Sequence, residues 1–198
     1  MVSISSDGTI RDSGARREFD SGAVRDIALG KGRTDLIPWD CSLFEILFSD
    51  DATLLSIGKF YKSRDTKYLA DIMYDFATKN FGDLESAMLE LSVHFEAGAE
   101  KYGEYNWQKG IPVHSYLDSA VRHYLKWKRG DRDERHDRAF MWNIICLVWT
   151  QDNLPNMDDL NIMMTVSQWL HKQWIRFRLW LHRVRLSFRL QKSYMRRQ

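Results

Sequence analysis

Between His94 and Asn143 the chain gathers side chains that a packing core does not need. Histidines stand at 94, 123 and 136. Carboxylates stand at Glu96, Glu100, Asp133, Glu134 and Asp137. Between them run Lys101-Tyr102-Gly103, the pair Asn106-Trp107, and Arg122 directly before His123. Carboxylates and imidazoles are the groups that hold divalent cations and carry protons, while Arg and Lys neutralise phosphate. A site for a divalent metal and a polyphosphate would draw on most of this set. Each member also has a plainer reading. Glu96 and Glu100, four apart, share a helix face that is equally a solvated acidic face. Asp133 and Glu134 sit where a helix dipole favours acids in any case. Asp118, three residues after Ser115, fits a capping box. A single histidine on a helix is more often structural than catalytic.

The spacing of apolar residues supplies the elements that must position these groups. Leu84, Met88, Leu91, Phe95, Ala99 and Tyr102 make one stripe, which predicts a helix capped by Asp83 and stopped by Gly103. A loop from Glu104 to Pro112 follows. A second helix is expected from Ser115, burying Leu117, Val121, Tyr124 and Leu125. After the turn at Gly130–Asp133, a third begins near Glu134 and buries Phe140, Ile144, Leu147 and Val148. That register puts Asp133, His136 and Asp137 on one side of its first turn, with Asn143 two turns along the same face. The class expected is all-α, a helical bundle.

The flanks differ from this centre. Residues 1–40 are polar and Gly-rich, which leaves two readings: a floppy terminus, or an ordered arm whose Gly30-Lys31-Gly32-Arg33 carries cations on a backbone able to approach phosphate. In 41–81 the apolar groups around Leu43–Phe48 and Tyr68–Phe76 are separated by Ser49–Asp65, read as a loop or insertion. Beyond Asn153-Leu154-Pro155-Asn156, the residues Leu170, Trp174, Phe177, Leu181, Val184 and Phe188 repeat in a heptad-like seam, predicting a basic amphipathic helix. The net charge of +2 therefore hides an asymmetry. Nine Lys/Arg and no acid lie from Leu160 onward, which leaves −7 on the preceding 159 residues. A basic tail of this kind packs on its own body, joins subunits into a homo-oligomer, or meets nucleic acid or an anionic membrane surface.

With 198 residues the chain is long enough for one domain with a sizeable core. Cys41 and Cys146 have no metal-type spacing, and a reduced cytosolic setting is expected. No apolar leader and no run of 18 apolar residues is present, so neither a signal peptide nor a membrane span is expected.

Two groups of strings carry a family resemblance. F-D-S-G-A-V-R-D and G-K-G-R-T-D-L-I-P, then F-E-A-G-A-E-K-Y-G-E-Y-N-W, L-D-S-A-V-R-H and H-D-R-A-F-M-W-N, resemble the bacteriophage dATP/dGTP diphosphohydrolases over residues 17–38 and 93–150. That resemblance implies the all-α nucleoside triphosphate pyrophosphohydrolase type, similar to MazG. It implies a purine deoxynucleoside triphosphate as substrate, dNMP and pyrophosphate as products, and Mg2+ (or Mn2+ or Co2+) as cofactor. The metal would lie among Glu96, Glu100, Asp133, Glu134 and Asp137, with His123 or His136 orienting water or binding phosphate. Lys31, Arg33, Lys101 and Arg122 would offset phosphate charge. Tyr102 or Trp107 would stack on the base, Asn106 would read its edge, and Asn143 would join the substrate site. The division implied is an N-terminal arm at 1–40, a catalytic helical domain at 41–152 with 45–80 inserted, and the basic helix at 153–198. A cytoplasmic enzyme shaping the nucleotide pool for phage DNA synthesis is the expectation. Two other readings stand beside it. One is an HD-type phosphohydrolase, from the literal pair His136-Asp137. The other is a non-enzymatic protein that binds nucleic acid or membrane through its tail.

Overall fold

The computed structural model describes residues 14–160. The basic tail and its seam lie outside the described residues. The order is a hairpin of β1 (Arg16–Glu18) and β2 (Val24–Asp26), then α1 (Ser42–Leu47), α2 (Ala52–Ser63), α3 (Lys67–Phe81), α4 (Leu84–Tyr102), α5 (Val113–Arg129) and α6 (His136–Asn153). The architecture is an all-α bundle with one two-stranded antiparallel hairpin.

α4 starts and stops where its sequence directs. The Asp83 carboxylate accepts from the Ser86 amide at 2.7 Å, and Gly103 ends the helix at φ 90°. α5 departs from expectation. It begins at Val113 with Pro112 in the N-cap position, which offers no side-chain acceptor, and the His114 amide is met instead by Asp159 Oδ1 at 3.0 Å. Asp118 is therefore not a capping residue. α6 begins at His136, so Asp133 and Glu134 lie on the chain entering the helix, free to turn toward its side.

α5 is the axis of the core. Tyr116, Leu117, Ala120 and Val121 are wholly buried, and its most extensive packing is against α6, which buries Phe140, Ile144 and Leu147. Phe76 of α3 enters edge-on between Trp127 and Phe140, with ring centroids at 4.9 and 4.7 Å. Each such side chain contributes roughly 1.5–3 kcal/mol by leaving water.

The stretch Ser49–Asp65, expected to be loop or insertion, is instead α2 and part of this core. Leu54, Ile57 and Phe60, three apart, are buried. Gly58 permits the close approach that seats it: a Cβ there would stand 2.6 Å from the Trp39 carbonyl oxygen. The Asp51 carboxylate caps the helix through the Leu54 amide at 3.0 Å.

The arm is ordered over residues 14–40. Asn106 holds β2 like an added strand, accepting from the Val24 amide at 2.9 Å and donating to the Val24 carbonyl at 2.8 Å. Ser21 bonds the Gly110 carbonyl. Thr34 is fastened to α5: its amide donates to Asp118 Oδ1 at 2.7 Å and its hydroxyl to the Asp118 carbonyl at 2.8 Å. These bonds fasten the arm to α5 and to the loop before it.

Candidate functional site

The arm, α4, α5 and α6 enclose a cavity of about 1040 Å3. At one end three donor atoms converge. His123 is carried by α5, His136 opens α6, and Glu134 sits on the turn leading into α6. Their Nδ1, Nδ1 and Oε1 atoms stand 3.0 Å (His123 to His136), 3.2 Å (His123 to Glu134) and 3.4 Å (His136 to Glu134) apart. Ligand distances of about 2.0–2.2 Å separate neighbouring donors around one cation by about 3.0–3.5 Å, so the trio fits a single ion. The other nitrogen of His136 lies 2.7 Å from Asp133, whose second oxygen takes Lys126 at 3.1 Å. A carboxylate behind an imidazole in this way fixes the tautomer and ring angle of a metal-ligating histidine.

The electrostatics suit the same use. Burial lowers the His123 pKa to about 3 despite the nearby Glu134, so the ring is neutral at neutral pH. Burial pushes the Glu134 carboxyl up, but the His136 hydrogen bond and the fields of both imidazoles outweigh it and lower the pKa to about 2. A neutral imidazole beside a carboxylate is the deprotonated donor set that metal binding requires. Two nitrogens and one oxygen favour Mn2+, Co2+ or Zn2+ over Mg2+, whose preference is for oxygen.

The remaining expected residues divide into those the fold brings here and those it does not. Asp133 and Glu96 line the cavity, Glu96 from its exposed mouth. Glu100 is exposed and does not line it. Asp137 is turned away. It holds Arg135 at 2.8 Å and the Arg138 amide at 2.9 Å, so the adjacent pair His136-Asp137 does not act as one cluster. Arg33 is likewise engaged elsewhere, with Asp35 at 2.5 and 2.7 Å, and lies off the cavity. Lys31 lines the wall with no ion-pair partner among the described residues. Lys101 and the Tyr102 hydroxyl both reach Asp26 of β2, each at 2.8 Å. Asn106 lines the cavity and is anchored to Val24 through one bond at each end of its amide. Trp107 packs edge-on to Trp149 and Phe95 and offers an apolar wall. Arg122 is aimed at the cavity by Asp118, its carboxylate at 2.6 Å. Asn143 presents its oxygen to the same space and anchors its amide nitrogen to the Ala139 carbonyl at 2.7 Å.

Sequence reasoning missed Arg25. It crosses from β2 into the cavity wall and donates to Asn143 Oδ1 at 2.9 Å, Ser119 Oγ at 3.2 Å and the Ser115 carbonyl at 3.3 Å. Its guanidinium also lies over the Tyr116 and Trp142 rings, 5.1 and 5.6 Å from their centroids. The only signal was a basic residue in an arm already thought able to fold over the site. His94 was noted without a role. It is buried in the wall beside Trp142, and burial lowers its pKa to about 4.

A family model described as dATP/dGTP diphosphohydrolase, N-terminal, matches residues 62–160. The match takes in the end of α2, all of α3 to α6 and every member of the converging trio. It includes part of the stretch 45–80 that the sequence set apart. No curated protein and no solved structure matches the chain. Among the described residues, no helix is long and apolar enough to cross a membrane.

Proposed function

Because the chain belongs to the dATP/dGTP diphosphohydrolase family, we propose that it hydrolyses a purine deoxynucleoside triphosphate to the monophosphate and pyrophosphate. The observation that carries this reading is the convergence of His123, His136 and Glu134 at one end of a cavity whose wall is cationic. Those three residues would hold a divalent ion, which supplies Lewis-acid stabilisation of phosphate charge and a water of lowered pKa. Asp133 keeps His136 in orientation. Glu96, at the mouth, would accept a proton from an entering water. Arg122, oriented by Asp118, and the unpaired Lys31 offset charge on the phosphates. Trp107 and Tyr102 give the base an apolar face. The reaction would draw down the purine dNTP pool available to a polymerase.

The test is incubation of the full chain with each dNTP and Mg2+, Mn2+ or Co2+, followed by chromatography of the products. Purine dNMP with pyrophosphate is expected, with Mn2+ or Co2+ at least as effective as Mg2+. Nucleoside with tripolyphosphate would overturn the reading and favour HD-type chemistry.

A further inference from the structure

The hairpin register places Arg17 directly opposite Arg25. Like charges facing each other across two strands repel, and nothing about a hairpin requires them. Both side chains nevertheless turn to the same patch of α5. Arg17 donates to Ser115 Oγ at 3.0 Å, and Arg25 to the Ser115 carbonyl. Arg122 joins them, because its guanidinium and that of Arg25 both donate to the Ser119 hydroxyl, at 3.1 and 3.2 Å. Of the three, only Arg122 has a carboxylate. Among the described residues Arg17 and Arg25 have none within ion-pair distance, and the buried Nε of Arg17 has no hydrogen-bond partner. Arg25 makes do with neutral acceptors and two aromatic rings.

Two half-buried guanidiniums without a carboxylate partner, beside a third, leave a site where an arriving anion gains charge-assisted bonds that the fold does not supply. Three planar forks converging on one wall match an anion with many oxygens and more than one charge, not a single carboxylate. We infer that Arg25, flanked by Arg17 and Arg122, is the phosphate-binding residue of this cavity. It grips the polyphosphate away from the ion-binding end, and the N-terminal hairpin exists to deliver it. That the anion belongs to a nucleotide rests on the hydrolysis reading above; that the wall binds a polyphosphate does not.

The experiment titrates the full chain calorimetrically with inorganic pyrophosphate in the absence of added metal. The wild type should bind, and Arg25→Met should bind at least tenfold more weakly while melting no lower than wild type. A purely structural arginine gives the reverse, a lower melting temperature with unchanged affinity. Should Arg25→Met not fold, Arg25→Lys keeps the charge, loses the fork, and should weaken binding several-fold. A wild type that ignores pyrophosphate, or a folded variant that binds it equally well, overturns the inference. Turnover of dNTP by the wild type is scored separately, so a failure of the hydrolysis reading leaves the pyrophosphate result standing.

Discussion

Asp51 and Glu134 are both acids shielded from solvent beside α5, and their surroundings are opposite in kind. The Asp51 side chain is 5% exposed and meets only donors: the Leu54 amide, the Tyr124 hydroxyl at 2.8 Å and the Lys128 ammonium at 2.5 Å. It does not line the cavity beside α4 to α6. Glu134, with its side chain 15% exposed, faces two imidazole nitrogens across the end of a large cavity. The three atoms are spaced to hold one cation between them. A carboxylate supplied with donors holds a fold together. A carboxylate grouped with two imidazoles at the end of a cavity is arranged to hold a ligand, and such departures from fold-holding chemistry are where function is expected.

The sharpest way to break this contrast is Glu134→Gln, which keeps the shape and removes the charge. Turnover of dNTP should fall by more than about a hundredfold, since even outer partners of metal ligands cost ~10–100-fold when changed. Thermal unfolding should show no loss of stability. A variant that melts early while retaining its turnover would place Glu134 with Asp51, as a structural acid.

Asp51→Ala is the converse. It removes a helix cap and leaves the Tyr124 hydroxyl and Lys128 without their acceptor. Stability should drop by roughly 2–3 kcal/mol, one cap plus one or two hydrogen bonds. KM and kcat of the folded fraction should stay at wild-type values. Urea titration with steady-state kinetics on the same preparation reads both.

Asp118 lies between the two cases, since it meets donors, yet those donors are the arm and a cavity arginine. Asp118→Asn should raise KM for dNTP by about tenfold, the worth of one charge-assisted hydrogen bond of ~1.5–3 kcal/mol. The melting temperature should move only slightly. If KM holds and stability falls, Asp118 belongs wholly to the scaffold.

The same division governs what the sequence made legible. The stripes of α4, α5 and α6 could be read because each is local and periodic, and Asp83 and Gly103 mark their ends by residue type alone. His123, Glu134 and His136 could be nominated because few residue types bind metals. Their convergence could not be read, because it depends on α6 starting two residues later than Glu134 and on how α5 crosses it. α2 was missed although Leu54, Ile57 and Phe60 recur at helical spacing, because the stretch was read by its polar residues and the surface of α3 that covers it is not visible within it. Asp118 looked like a cap because Ser115 precedes it by three. Its partner Thr34 is 84 residues away. Arg25 was hidden for the same reason, its acceptors Ser115, Ser119 and Asn143 being 90, 94 and 118 residues distant.

The smallest effect concerns acid. Burial alone would raise the Asp51 pKa, but the hydrogen bonds from Lys128, the Leu54 amide and Tyr124 outweigh it, and the folded value is lowered. The unfolded chain has an ordinary aspartate at about 3.9. A depressed folded pKa means that the unfolded state binds the proton more readily. The stabilisation is therefore fully present above about pH 4 and is lost as pH falls from there through the lower folded value. Asp51→Asn has no such proton to take up at this position. Its unfolding free energy should lie below wild type at pH 6, and the two curves should draw together as pH falls below about 4. Urea unfolding of both proteins across that range measures the gap. A gap that stays constant down to pH 2 would mean that the contacts of Asp51 do not depend on its charge. The donor-filled acid would then be only a shape-filling group, and the contrast with Glu134 would have to rest on the cavity alone.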